Sequence, residues 1–171
     1  MDFIFDFDRT LFDTAHFVNE AAPYKESGLY ITPAIWDILD ATTFVYSDVL
    51  SFLQKIGKEH STILTAMTPT LGPLAREFQK AKLERSGVSA YTRQVIFMEG
   101  KKGKYVKEIF SGKPTIFVDD TLEQLQSVKA FCPEVVCIQI IRPNSEGRSE
   151  VSSSSDIPTV TSLQELETFF I

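Results

Sequence analysis

Residues 1–14, MDFIFDFDRTLFDT, decide the fold. Phe3, Ile4, Phe5 and Phe7 make a short apolar run of the kind carried by a strand covered on both faces. Asp6 stands at the end of that run and Asp8 two residues on, followed by Arg9 and Thr10. A strand has a side-chain period of two, so Asp6 and Asp8 start from the same side of the chain. Two neighbouring carboxylates repel, and each is costly to desolvate. A hard cation between them relieves the repulsion, and Mg²⁺ takes oxygen ligands of this type. A polar turn ending the strand is the simpler reading, and the rest of the chain decides between the two.

Outward from this stretch, strands alternate with helices. The pattern predicts strands over 61–66 (STILTA), 94–98 (QVIFM), 115–118 (TIFV) and 135–141 (VVCIQII), with a further short one over 158–161. It predicts helices over 46–57, 71–86, 103–110 and 122–131, and one from Ser162, where Ser162 and Glu165 have capping-box spacing. In the 46–57 helix, Ser47 is the expected cap, Gly57 the stop, and Val49, Leu50, Phe52, Leu53 and Ile56 the apolar stripe. Leu122, Leu125 and Val128 are the expected inward face of the 122–131 helix. Pro69 reads as a breaker, and the polar stretch 144–155, with four consecutive serines, as a solvated loop. Residues 15–43 are the least regular part. A helix is expected there from Thr32-Pro33, with Ile35, Trp36 and Leu39 on one face, and Trp36 is expected to pack. His16 is assigned no chemistry.

Near-continuous apolar strands alternating with helices predict an α/β fold, a doubly wound parallel sheet covered on both faces. In such folds functional groups gather at the carboxyl ends of the strands. Here strand one ends in Asp6 and Asp8, strand two in Thr65, and the fourth strand in Asp119 and Asp120. Four acids delivered to one edge are expensive without a cation, which counts against the simple polar turn.

Composition sets outer bounds. With 171 residues, 43% hydrophobic and 23% charged, the chain has material for a core of ordinary size. The net charge of −6 argues against bulk binding to nucleic acid or to an acidic membrane surface. Only Cys132 and Cys137 are present, so no disulfide framework is expected and a reducing, cytoplasmic setting is. No apolar run approaches membrane length, and a core strand starting at residue 3 leaves no room for a signal peptide.

At this point four motifs stand in order. Asp6-Phe7-Asp8-Arg9-Thr10 after an apolar strand resembles the first motif of the haloacid dehalogenase superfamily, DxDxT. Ile63-Leu64-Thr65 resembles its second, Lys102-Gly103 at a helix start its third, and Phe117-Val118-Asp119-Asp120 its fourth. The resemblance covers residues 2 to about 141. Arg9 stands where many members have glycine. Lys101 and Lys104 flank Lys102, which is chosen because Lys-Gly at a helix mouth is the common pattern.

The resemblance implies a Rossmann-like core over 1–14 and 44–171 within one domain, with at most a small helical cap over 15–43. It implies a Mg²⁺-dependent phosphomonoester hydrolase working through an aspartyl-phosphate. Asp6 would be the nucleophile and Asp8 the general acid and base. Thr65 and Lys102 would hold phosphate oxygens. The metal would sit on Asp6, the Asp8 carbonyl, Asp119 and Asp120. Thr10 would fix the loop. In the family the second aspartate marks phosphoryl-transfer members, so Asp8 argues against dehalogenation. A short cap implies a fairly open site, with room for a large substrate or a capping partner subunit; the expected substrate is a phosphorylated small molecule, with oligomeric state open. Arg9, Arg76, Lys80 and the 101–104 lysines are candidates for anchoring anions, although a solvated helix face is the better reading of Arg76 and Lys80. The alternatives are a phosphomutase, a non-catalytic partner-binding module and a receiver-type signalling domain. In the last, the motif order is different, with the acid pair first and the lysine last.

Overall fold

Six strands form one parallel sheet in the order β3-β2-β1-β4-β5-β6. They are β1 (Asp2–Phe5), β2 (Ser61–Ala66), β3 (Gln94–Met98), β4 (Thr115–Asp119), β5 (Val136–Ile140) and β6 (Thr159–Val160). The computed structural model describes residues 1–24, 33–67, 74–110, 112–143 and 156–170. From β1 the chain winds outward through β2 and β3, then returns to the other side of β1 with β4 and continues outward. The winding therefore reverses between β1 and β4, and a crevice opens beyond the carboxyl ends of those two strands.

The strand pleat splits the core in two. Phe3 and Phe5 face one layer with Ile63, Ile116 and Val118; Ile4 faces the other with Leu64 and Phe117. Helices α1 (Thr14–Ala21), α2 (Val49–Ile56), α3 (Leu74–Arg85) and α6 (Leu163–Phe170) pack on the first face. Helices α4 (Lys102–Ile109) and α5 (Leu122–Phe131) pack on the second. Phe52 of α2 meets both Phe3 and Phe5 edge-on, with centroids 5.6 and 6.1 Å away. Each such fully buried side chain stabilises the fold by roughly 1.5–3 kcal/mol. Many of the phenylalanines are thus core filling, and Cys132 and Cys137 are free and buried.

Several expected elements differ in detail. Pro33–Asp37 forms a tight 3-10 turn and not an α-helix, and a second such turn spans Ala41–Phe44. Ile35 and Trp36 are buried all the same, because a single turn suffices to lay the indole 4.6 Å from the Phe17 ring. The expected start of that helix, Thr32, lies outside the described residues. So do Pro69, the first three residues of the 71–86 helix and the 144–155 loop. Helix α1 within residues 15–43 was not expected; Asp13 caps it, accepting from the His16 amide at 3.0 Å. Helix α2 begins at Val49 with Asp48, not Ser47, at the cap position. The Asp48 carboxylate is committed elsewhere: its Oδ2 accepts from Arg142 Nη1 and from the Leu163 amide, both at 2.7 Å. Leu50 lies off the buried stripe and is exposed, and Leu122 is only half-buried. Of the Ser162–Glu165 capping box only one half forms. The Glu165 amide donates to Ser162 Oγ, while the Glu165 carboxylate turns to Thr161.

Candidate active site

Register brings the first two acids together. Phe5 pairs with Val118, so the next residues along β1 and β4, Asp6 and Asp119, fall at the same level. The Asp6 amide closes the ladder by donating to the Val118 carbonyl at 2.9 Å. Asp120 follows β4 directly. Asp6, Asp119 and Asp120 are all buried, and one carboxylate oxygen from each lies within 4.8 Å of the others. They border a cavity of about 230 Å³ together with Asp8, Arg9, Ala66, Lys102, Thr121 and Gln124.

One ammonium sits among these carboxylates. Lys102 Nζ donates to Asp119 Oδ2 at 2.7 Å and also to Asp6 Oδ1. Burial alone would drive its pKa down, but Asp119 and Asp6 outweigh burial and hold it above its usual value. The acids remain under-compensated. Burial first, then the charges of Asp119 and Asp8, push the Asp6 carboxyl up to about 7 against the pull of Lys102. Asp119 is likewise raised by burial and by Asp120. Lys102 is shared between Asp6 and Asp119, and the three carboxylates offer a divalent cation hard oxygen donors close together.

The placement of Lys102 depends on how α4 meets α5. The first turn of a helix has amides without intrahelical partners. Here the Lys102 amide donates to Gln124 Oε1 at 2.8 Å and the Gly103 amide to Ser127 Oγ at 3.2 Å, so α5 caps α4. The contact is close enough that a Cβ on Gly103 would lie 2.2 Å from the Ser127 carbonyl oxygen. This gives the Lys-Gly pair a physical reason: the glycine lets the helices touch, and the touching helices carry the lysine to the acids. Lys101 instead pairs with Glu123 at the surface, and Lys104 is exposed.

Asp8 belongs to a separate set of partners. The strand ends at Phe5, and Arg9 takes a left-handed backbone conformation (φ 62°), so the simple period of two does not extend to Asp8. Asp8 Oδ1 accepts from Thr14 Oγ1 and Lys82 Nζ, each at 2.5 Å, and Oδ2 accepts from Gln79 Nε2 at 2.6 Å. Lys82 is itself buried, with its ammonium 5.3–5.8 Å from the ring centres of Phe7, Phe12 and Phe78. Burial raises the Asp8 pKa, but the Lys82 charge and the three hydrogen bonds more than reverse it, leaving the carboxyl below its ordinary range.

The remaining expected site residues fall nearby. Thr65 is fully buried behind this cluster; its hydroxyl oxygen accepts from Gln79 at 2.8 Å, and it does not border the cavity, whereas Ala66 does. The Thr10 carbonyl accepts both Arg142 Nε (3.0 Å) and Nη2 (2.8 Å), which pins the loop after β1. Arg76 and Lys80 do not border the cavity: Arg76 lies over the Phe97 ring, and Lys80 is exposed beside Glu84. Gln79, Lys82, Gln124 and Arg142 were not anticipated. A signal for Lys82 existed, because it stands four residues after Phe78 and one before Leu83, on the apolar side of α3.

Comparison with solved structures identifies the architecture. A protein of Burkholderia xenovorans LB400 described as a haloacid dehalogenase-like hydrolase superposes with a TM-score of 0.70 and 19% identity, over 98% of this chain and 95% of its own. The HAD-hydrolase YfnB of Bacillus subtilis, whose structure is bound to magnesium, gives a TM-score of 0.63 and 12% identity, over 98% and 97% of the two chains. No protein-family model matches the sequence, and neither does any curated protein. The doubly wound parallel sheet expected from the strand pattern is the observed one, and the haloacid dehalogenase-like fold implied by the four motifs is the fold of this chain.

Proposed function

We propose that this chain is a Mg²⁺-dependent phosphomonoester hydrolase that turns over through an aspartyl-phosphate on Asp6. The observation that carries the reading is the buried trio Asp6, Asp119 and Asp120, with Lys102 bridging Asp6 and Asp119, at the reversal point of the sheet. The likeness in fold to haloacid dehalogenase-like hydrolases, one of them bound to magnesium, supports it. Asp6, Asp119 and Asp120, with the Asp8 carbonyl, would hold Mg²⁺, which supplies positive charge against a phosphate dianion and keeps Asp6 ionised.

The chain's own residues account for the bond changes. The Asp6 carboxylate attacks phosphorus, and the bond from phosphorus to the leaving oxygen breaks as Asp8 gives that oxygen a proton. Water then attacks the phosphoryl group with Asp8 taking its proton, which releases phosphate and frees Asp6. Lys102 holds phosphate oxygens while balancing Asp6 and Asp119. Thr65 is buried outside the cavity lining, and its hydroxyl oxygen accepts from the Gln79 amide that also donates to Asp8, so its part is to hold Gln79 in place. Held by Lys82, Gln79 and Thr14, Asp8 is set in its ionised form, the form that the water step needs. The protonated form needed for the first step requires Asp8 to leave Lys82.

No residue of helix α1 or of the two tight turns borders the cavity, whose volume of about 230 Å³ suits a phosphorylated small molecule. Among the described residues no helix is long and apolar enough to cross a membrane. The reading is tested by assaying a phosphometabolite panel with and without Mg²⁺. Mg²⁺-dependent phosphate release from at least one phosphomonoester is expected, and none from any would contradict it.

A further inference from the structure

Arg9 is the cavity-lining cation that the proposed chemistry does not use. It borders the same space as Asp6, Asp8, Lys102, Asp119 and Asp120 and is half-buried. The other two cations at the site are spent on carboxylates, Lys102 on Asp6 and Asp119, Lys82 on Asp8. The Arg9 side chain makes no hydrogen bond or ion pair with any described residue, although four aspartates border the cavity with it. Its backbone is at φ 62°, among the described residues the one non-glycine position with positive φ. Its amide is locked there by a 2.7 Å hydrogen bond to the Phe12 carbonyl. Glycine would take that conformation without strain. Arg9 therefore borders the cavity from a strained backbone position, its guanidinium without a hydrogen bond or ion pair to any described residue. Its fork of N–H groups matches a carboxylate or a phosphate in two-point geometry.

We propose that Arg9 is a second anion-binding group of this site, so that the preferred substrate carries a carboxylate or a second phosphate beyond the phosphate at Lys102. This deepens the phosphatase reading and rests on Lys102 and the acids receiving the first phosphate. A substrate with one anionic group would leave Arg9 in water. One with two would engage it through the second group, which would select for small, doubly anionic phosphoesters.

The test uses binding of phosphonates that cannot be hydrolysed, by calorimetry at saturating Mg²⁺. The probes are n-propylphosphonate, with one anionic group, and 3-phosphonopropionate and propane-1,3-diphosphonate, with two. The wild type is expected to bind at least one of the two-anion probes about tenfold or more tighter than n-propylphosphonate. Which of the two it favours tells a carboxylate subsite from a phosphate one. In Arg9→Gly, which suits the backbone and should fold at least as well, the ratio of affinities should fall to about one. In Arg9→Lys, which keeps the charge and loses the fork, it should be intermediate. A wild-type ratio near one, a preference that survives in Arg9→Gly, or no binding of any probe overturns the proposal. Release of p-nitrophenol from p-nitrophenyl phosphate by the same preparations separates the two readings. Turnover without an Arg9-dependent preference removes only the second subsite. An Arg9-dependent preference without turnover keeps the subsite and removes the hydrolase.

Discussion

Asp6 and Asp8 are two residues apart and chemically identical, yet the protein drives their carboxyls in opposite directions. Asp6 shares one lysine with buried Asp119 and lies beside buried Asp120, and its pKa rises to about 7. Asp8 has a lysine, a glutamine and a threonine to itself, and its pKa falls. Burial pushes both upward; what separates them is that neighbouring acids add to the rise at Asp6, whereas the Lys82 charge and three hydrogen bonds reverse it at Asp8. The two environments differ as the proposed roles require: a cluster of buried acids whose oxygens suit a metal ion, and a carboxylate held in its ionised form by its donors.

The comparison breaks most severely at Lys102. Lys102→Met removes the ammonium that pairs with both Asp6 and Asp119. Breaking a buried pair in this way costs about 3–5 kcal/mol, and the loss of a charge aimed at the phosphate slows turnover by about 10²–10³-fold. Urea denaturation in a chelator and steady-state assays measure the two effects, and a stability unchanged from wild type would contradict the role given to Lys102. Gly103→Ala strikes the same region indirectly, since a Cβ there collides with the Ser127 carbonyl. Pushing α4 off α5 is expected to cost about 1–3 kcal/mol, as overpacking does, and to lower kcat by displacing Lys102. Thermal melts beside assays check it, and an Ala variant as stable and active as wild type would show that the close helix contact does not position Lys102.

A smaller effect is expected at the other carboxylate. Asp8 is partly open to solvent, so Lys82→Met should cost about 1–2 kcal/mol, less than a fully buried pair would. It should also raise the Asp8 pKa, so that the protonated acid persists to higher pH. The acid-requiring limb of the pH–rate profile for an alkyl phosphate should then move upward, and a profile that stays put would uncouple Lys82 from Asp8. A separate test is the pH dependence of stability in the metal-free protein. Asp6 holds its proton to about pH 7 when folded, against an ordinary value of 3.8. Between about pH 4 and 7 the folded state binds more protons than the unfolded chain, so this group's contribution falls as pH rises. Asp8, with a lowered pKa, contributes stability above its ordinary value and loses it on acidification. Melts from pH 4.5 to 7.5 in a chelator should show the downward Asp6 component in wild type and not in Asp6→Asn; identical slopes would refute it.

Much of the sheet could be read from the sequence, because buried parallel strands are apolar runs and their ends are marked by abrupt acids. The meeting of Asp6 with Asp119 was readable for the same reason, since both continue neighbouring central strands. Lys102 could be picked from its neighbours only by pattern. Its physical reason, the missing Cβ of Gly103 against Ser127, lies in a contact 24 residues away along the chain. Gln79 and Lys82 were hidden because a polar residue on a helix is ordinarily solvated, and only the fold shows these two turned inward to Asp8. Residues 33–44 were misread because Ile35 and Trp36 can be buried by one tight turn as well as by a helix.

The most direct measurement is release of p-nitrophenol from p-nitrophenyl phosphate, with and without Mg²⁺, for wild type and Asp6→Asn. Its leaving group departs readily, so the assay depends little on Asp8 as an acid and isolates the nucleophile and the metal. The account predicts turnover by wild type only with Mg²⁺ and none detectable by Asp6→Asn, which keeps the shape of the side chain and so the fold. Turnover by Asp6→Asn at the wild-type rate, or wild-type turnover indifferent to Mg²⁺, would contradict it.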